Sequence, residues 1–512
     1  MIGGVWLWNT NGVDFETIGI ENGGSFQTEA TENLALGIVT DVPDKLPRAS
    51  LTFQGRDVLG DAEETDDGFI YRPEDELEEG TYELTLTVPR PVFGNASYTA
   101  RFHVDDTPPS LELPILAAVP IDEAVSASVT AEEGATLTVD GEPVELDDGI
   151  LELSFDEPPV APLEIVATDA AGNETAGSLN FPVEYPGTRG VHVTGTGWRD
   201  PSIREPILGA LRAGRIDSVQ LDLKDELGEV NYPSQVPEAQ AVGATRDYFD
   251  LAQAVDEIHQ AGGRVVGRIV VFRDPIYATT KWRQGIGEAV IQDTRGNRLP
   301  VYDAGFTNIA NPDVWQYNID IAEEAAAAGV DDILYDYLRR PEGDLGGMVI
   351  PGIAEIGSPE DAIVEFLRRS HETLRPYGVY QGASVFGIAA SRPEAIGQDI
   401  PRMAGNLDYV APMLYPSHWV AGEYGVDSPI HQPYDIVEAA MLDFRQVVAE
   451  SGTSLLLWVQ DFNLGGVPYA EAEVRAQIDG AQAAGVSNFL LWDPDVTYHW
   501  DALVGLPPYE GD

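Results

Sequence analysis

Ile333-Leu-Tyr-Asp-Tyr-Leu-Arg-Arg-Pro341 is a short apolar, strand-like run that ends in a carboxylate, two aromatics, two guanidiniums and a proline stop. A buried parallel strand that turns polar at its C-terminal end is the pattern of an α/β barrel at its active-site mouth. Asp336 is therefore the first candidate for catalysis.

Outward from this run, everything after Pro186-Gly-Thr-Arg189 alternates strand candidates with amphipathic helical segments. The strand candidates are 190–195, 218–225, 264–272, 332–339, 380–387, 409–416, 454–462 and 488–495. The segment Val314 to Gly329 shows the helical pattern best, with apolar residues at helical spacing and a glycine stop. Eight such units over roughly 320 residues predict a (β/α)8 (TIM) barrel, since a typical one needs about 250. The competing doubly wound sheet usually carries a glycine-rich phosphate loop after its first strand. Thr194-Gly-Thr-Gly-Trp198 lacks the third glycine, and a proline follows at Pro201.

The N-terminal third has another texture. Tyr82-Glu-Leu-Thr-Leu-Thr-Val88 and Tyr98-Thr-Ala-Arg-Phe-His-Val104 alternate with period two between Gly, Pro and Asp turns, as in a β-sandwich. After the linker Asp105-Asp-Thr-Pro-Pro109 the pattern repeats: Ser50-Leu-Thr-Phe-Gln-Gly-Arg-Asp-Val58 parallels Thr136-Leu-Thr-Val-Asp-Gly-Glu-Pro-Val144. The expected organisation is a segment 1–24 of unassigned role around Trp6 and Trp8, sandwiches at 25–107 and 108–186, and the barrel at 187–512.

Asp and Glu number 86 against 29 Lys and Arg, a net charge of -57, and the lysines are Lys45, Lys224 and Lys281 alone. Such a surface repels nucleic acid and anionic membranes, so neither is an expected partner. No stretch approaches the roughly 20 apolar residues of a membrane span. With no cysteine, disulfides, thiolate metal sites and a cysteine nucleophile are excluded. Asp105-Asp106 and Asp493 with Asp495 lack the oxygen spacing of a calcium loop, and His-Glu-x-x-His and Gly-x-Ser-x-Gly patterns are missing. No metal or other cofactor is expected, and the chain is expected to be a monomer.

Barrel enzymes build their sites from C-terminal strand ends. Those ends hold Asp222 and Lys224, Arg268, then Asp336, Tyr337 and Arg339, then Tyr415 and His418, then Trp458, Gln460 and Asp461, and finally Trp492. Carboxylates between aromatic walls suit a carbohydrate. Cleaving a glycosidic bond takes one acid to protonate the leaving oxygen and one carboxylate as nucleophile or base. Asp336, Asp222 and Asp461 are the catalytic candidates. The others are candidates for holding a sugar, with Trp458, Trp492 and Tyr415 stacking on it and His418 meeting a hydroxyl. Each has a plainer alternative: Asp222 paired with Lys224, Asp461 capping its loop, the aromatics as core. Asp225 and Asp274 read as turn or cap residues.

From Gly190 onward the chain resembles a family of glycosyl hydrolase barrels of bacterial exported proteins. The resemblance is carried by Gln220-Leu-Asp-Leu-Lys-Asp225, Arg268-Ile-Val-Val-Phe-Arg-Asp274, Tyr335-Asp-Tyr-Leu-Arg339, Ala411-Pro-Met-Leu-Tyr-Pro-Ser-His418 and Trp458-Val-Gln-Asp-Phe462. It covers residues 188–507 and departs mildly at Tyr335, Leu338 and Arg340, which removes no carboxylate. It implies a reaction class, glycoside hydrolysis, rather than a substrate. Ala167-Thr-Asp-Ala-Ala-Gly-Asn173 similarly resembles a turn of bacterial immunoglobulin-like domains, which implies an extracellular or cell-surface location. The N-terminus, Met-Ile-Gly-Gly-Val-Trp-Leu-Trp, carries no basic start of a signal peptide, and a cytoplasmic location is the alternative. A catalytically silent barrel that binds glycan is the rival function, because fold alone confers no activity.

The acid excess also predicts a salt-stabilised fold, because added ions screen self-repulsion. The melting temperature is expected to rise from dilute buffer to molar NaCl; an unchanged value contradicts a halophilic origin.

Overall fold

The computed structural model describes residues 8–9, 12–32, 34–90 and 93–506; Trp6 lies outside them. In the N-terminal region, one five-stranded sheet runs through Asp14–Ile18, Leu36–Thr40 and Gly68–Tyr71, edged by Trp8–Asn9 and Glu63–Glu64. A second contains Gly24–Phe26, Asn95–Val104, Gly80–Pro89, Ser50–Phe53 and Arg56–Asp57. Their inner faces share one core, with Phe15 and Ile38 from the first sheet against Leu84 and Phe102 from the second. Asn95–Val104 alternates buried and open residues along its length, the period-two pattern of a strand with one face on a core. Beyond residue 110 follow a three-stranded sheet (Leu111–Glu112, Val125–Ala131, Ile150–Phe155) and a four-stranded one (Glu142–Val144, Thr136–Val139, Leu163–Thr168, Glu174–Leu179).

The C-terminal region is a closed parallel barrel. Its strands are β1 (Arg189–Val193), β2 (Ser218–Lys224), β3 (Arg264–Val270), β4 (Asp332–Asp336), β5 (Tyr380–Phe386) and β6 (Tyr409–Met413). They are completed by β7 (Ser454–Leu455 and Leu457–Gln460) and β8 (Phe489–Trp492). Consecutive strands pair in parallel, and β8 closes on β1 with Phe489 opposite Arg189. The predicted (β/α)8 topology is the one observed. Helices such as Pro312–Ala327 and Pro359–Leu374 return the chain between strands, the second started by a capping box between Ser358 and Asp361.

Side-chain parity sorts the barrel into two cores. Val265, Ile333, Val410 and Leu457 face the helices, whereas their strand neighbours Val266, Leu334, Tyr409 and Leu456, with Leu490, fill the interior. Arg268 and Asp336 share the interior parity, one step nearer the C-terminal mouth. Strand β4 stops at Asp336, short of the predicted Arg339, because Tyr337 turns into the left-handed region at φ 50°. Such a conformation costs a non-glycine residue about 1–2 kcal/mol. The opposite end is plugged: Tyr185 donates to Asp332, which also pairs with Arg264, and stacks on Tyr409 with ring centroids 4.2 Å apart.

Interior space is tight around that plug. A Cβ on Gly382 would lie 2.2 Å from the Tyr409 ring, and the ring is held by Tyr185. Gly382→Ala is expected to destabilise the protein by about 1–3 kcal/mol, the usual cost of overpacking, read as a lower urea midpoint. An unchanged midpoint would mean the ring gives way.

Candidate active site

Where β2, β3 and β4 end, one guanidinium gathers three carboxylates. Arg268 is 3% exposed. Its Nε and Nη2 both donate to Asp336 Oδ2, at 2.9 and 2.6 Å, its Nη1 to Asp222 Oδ1 at 2.9 Å, and its Nη2 also to Glu226 Oε1 at 2.5 Å. Asp336 further accepts the Tyr337 N–H at 2.6 Å, which the left-handed turn aims at it. Burial opposes charge at Asp222, but Arg268 and His192 hold its carboxyl well below the usual range. Burial likewise opposes charge at Glu226, and Arg268 holds it low despite the repulsion of Asp222.

Above this cluster opens a cavity of about 760 Å³. Asp336, Glu226 and Arg268 form part of its lining, and Trp458, Trp492, Tyr415, Phe462 and Trp419 form an aromatic wall. Tyr415 stacks on Trp492 at 5.8 Å and meets Phe462 edge-on at 5.6 Å. Burial and the charge of Asp336 push the Tyr415 phenol well above its ordinary pKa, so it keeps its proton as a donor. His418 lines the same side, its pKa lowered by partial desolvation. Across the cavity the Arg339 guanidinium lies over Phe386 at 4.3 Å and Tyr337 at 5.0 Å and pairs with Glu342 at 3.1 Å. Arg339 therefore serves Glu342 rather than Asp336, and Tyr302 joins them by donating to Glu342 at 2.7 Å.

Of the sequence candidates, Asp336, Arg268, Tyr337, Arg339, Tyr415, His418, Trp458 and Trp492 all meet at this cavity. Four do not. Asp222, at 2% exposure, lies beneath Arg268 and does not reach the lining. Lys224 is fully buried, paired with Asp274 at 2.9 Å and bonded to Asn318 at 3.0 Å. The pairing with β3 slips between Asp222 and Lys224, so Lys224 stands opposite Ile269 and joins the helix-facing side. Gln460 is buried and ties the loops, accepting from Ser417 N and donating to Phe462 O. Asp461 is 1% exposed and faces the β8 loop, where it accepts the His499 N–H at 2.9 Å and contacts His499 Nδ1 at 2.5 Å.

Glu226, Glu342 and Tyr302 sit in loops and carried no strand-end signal. The acid run Asp222-Leu-Lys-Asp-Glu226 was the trace of Glu226, with nothing to say which of its acids turns back to the mouth. Asp225 and Asp274 are turn and cap residues: Asp225 accepts the N–H of Leu227 and of Glu229, and Asp274 that of Tyr277.

A family model described as "Putative glycosyl hydrolase domain" matches residues 190–498. Among solved structures, a hypothetical protein from Ruminiclostridium thermocellum is 26% identical, over 38% of this chain and 96% of its own, with TM-score 0.34. The PgaB (BpsB) glycoside hydrolase domain from Bordetella bronchiseptica is 18% identical, over 63% of this chain and 100% of its own, at TM-score 0.45. The glycoside hydrolase domain of PelA from Pseudomonas aeruginosa is 12% identical, over 61% and 97%, at TM-score 0.36. No curated protein matches the chain.

Burial, with the charges of Asp222 and Glu226 nearby, raises Asp225 to about 7. A raised folded pKa means the parent loses stability as pH climbs from the unfolded value of about 3.9 through that range. Asp225→Asn does not titrate, so its melting temperature relative to the parent is expected to improve steadily from pH 4 to pH 7 and then level off. A difference independent of pH contradicts this.

Proposed function

The chain belongs to this glycosyl hydrolase family, and from that premise we propose that it cleaves a polysaccharide, with Asp336 and Glu226 as the reacting carboxylates. The observation that carries the reading is that both acids bond the same Arg268 nitrogen, Nη2, at 2.6 and 2.5 Å, on the floor of an aromatic-walled cavity. Two oxygens on one nitrogen lie no more than about 5 Å apart, closer than the roughly 6.5–9.5 Å of an inverting pair, which favours the retaining arrangement. Asp336, fixed by two Arg268 donors and a backbone N–H, is the nucleophile that meets the anomeric carbon. Glu226, on a loop and 31% exposed along its side chain, is the acid that protonates the leaving oxygen and then activates water. With Glu226 protonated as the acid, Asp336 and Asp222 against one guanidinium still leave an excess of negative charge, which favours an oxocarbenium-like transition state. Trp458, Trp492 and Tyr415 supply apolar faces for sugar rings, and His418, Arg339 and Tyr337 supply polar contacts.

A polymer substrate puts the protein outside the cell or on its surface, with the N-terminal sheets, which begin before the expected boundary at residue 25, as spacer or binding modules. Among the described residues, no helix is long and apolar enough to cross a membrane.

A panel of soluble polysaccharides assayed for new reducing ends at high salt tests the activity. Asp336→Asn and Glu226→Gln are each expected to lower kcat/KM by about 10²–10⁴-fold while the protein stays folded. Because Arg268 holds Glu226 low until sugar loosens its grip, the basic limb of kcat/KM should fall at lower pH than that of kcat. Full activity in either variant rejects the assignment.

A further inference from the structure

Arg268 also has a side turned away from the cavity. Its Nη1 donates to Asp222 Oδ1 at 2.9 Å, Gln220 Nε2 donates to the same oxygen at 3.1 Å, and His192 Nε2 lies 3.1 Å from Asp222 Oδ2. Asp222 and His192 are each 2% exposed, and neither lines the cavity. His192 is pinned in turn, its carbonyl accepting the Tyr498 hydroxyl and its ring lying 6.0 Å from that of Trp492. His192 Nδ1 has no hydrogen-bond partner among the described residues. A proton there would be a buried donor left unmade, so the imidazole carries its proton on Nε2 and points it at Asp222.

We infer that His192 and Asp222 are positioning residues, a buried imidazole–carboxylate–guanidinium chain that fixes the fork of Arg268 and, through it, the placement of Asp336 and Glu226. The inference deepens the glycosidase reading and rests on it for its effect on turnover. With Nη1 occupied from below, only the Nε and Nη2 edge of the fork is left for the cavity carboxylates. A guanidinium is planar, so fixing one edge fixes the other. Asp222 also offsets the charge of Arg268 and moderates its pull on Glu226. The groups facing Asp222 are His192, Arg268, Asp225, Glu226 and Tyr498. Those facing Glu226 are Arg268, Asp222, Asp225, Tyr337 and Tyr415. Removing the charge of Asp222 leaves Arg268 unopposed, so Glu226 must then titrate at lower pH.

The test is Asp222→Asn in the full chain. Its amide can offer oxygen to Arg268 only by turning its NH2 toward His192, which must then accept on Nε2 and move its proton to Nδ1. Nitrogen-15 spectra of the imidazoles, assigned against His192→Gln, should show that tautomer switch. Carbon-13 carboxyl titration, assigned against Glu226→Gln, should show Glu226 ionising at lower pH than in the parent. An unchanged tautomer, or a Glu226 midpoint that stays or rises, overturns the chain of positioning. On a polysaccharide that the parent cleaves, kcat should fall about 10–100-fold with KM within about twofold. The basic limb of kcat/KM should move to lower pH; an equal loss at every pH overturns the inference. If the parent cleaves nothing, the proposed function fails and the two spectra alone decide the positioning role. Should Asp222→Asn not fold, His192→Phe strips only the outer hydrogen bond: kcat falling with KM held supports the inference, and unchanged kinetics with a lower melting temperature reject it.

Discussion

The bonding of Arg268 to Asp222, Glu226 and Asp336 is the interaction on which the arrangement of the barrel mouth depends. Ionised groups taken out of water are costly, by several kcal/mol each, and are retained only where pairing and hydrogen bonds compensate. Here one guanidinium uses Nε, Nη1 and Nη2 on three acids contributed by two strands and a loop. Arg268 thereby ties the ends of β2, β3 and β4 together at the mouth and sets how much negative charge the cavity floor presents.

The rest of the barrel supports that arrangement from two directions. Parity within β3 and β4 sends Arg268 and Asp336 inward with Val266 and Leu334, so both reach the mouth without any special turn. The left-handed conformation at Tyr337 then ends β4 and delivers a backbone N–H to Asp336. At the far end Tyr185, Arg264 and Asp332 close the barrel. A plugged base leaves the C-terminal mouth as the open end, which is where barrel chemistry belongs.

Much of this was legible in the sequence. Alternating strand and helix patterns gave the barrel, since apolar periodicity reports burial directly. The abrupt polarity after Leu334 marked Asp336, and Arg268 and the aromatics stood at equivalent ends. Lys224 and Asp461 stand away from the cavity for different reasons. Lys224 has the same parity as Asp222, yet a slip in pairing with β3 turns it to the helices, and register between strands is a tertiary property. Asp461 follows β7 with the parity of the helix-facing Val459 and bonds His499 in the next loop, which alternation could have flagged.

By itself the sequence determined the closed parallel barrel, the strand-rich region before it, the acidic surface and the chemical types available at the mouth. Composition and periodicity are local, and burial follows from them. Only the tertiary structure decided which acids meet. Glu226 faces Asp336 across Arg268 because the loop after β2 folds back over the mouth, and Asp222 is withdrawn because Arg268 covers it. Hydrogen bonds act over about 3 Å, while the residues that make them lie tens of positions apart, so their pairing exists only once the barrel has closed.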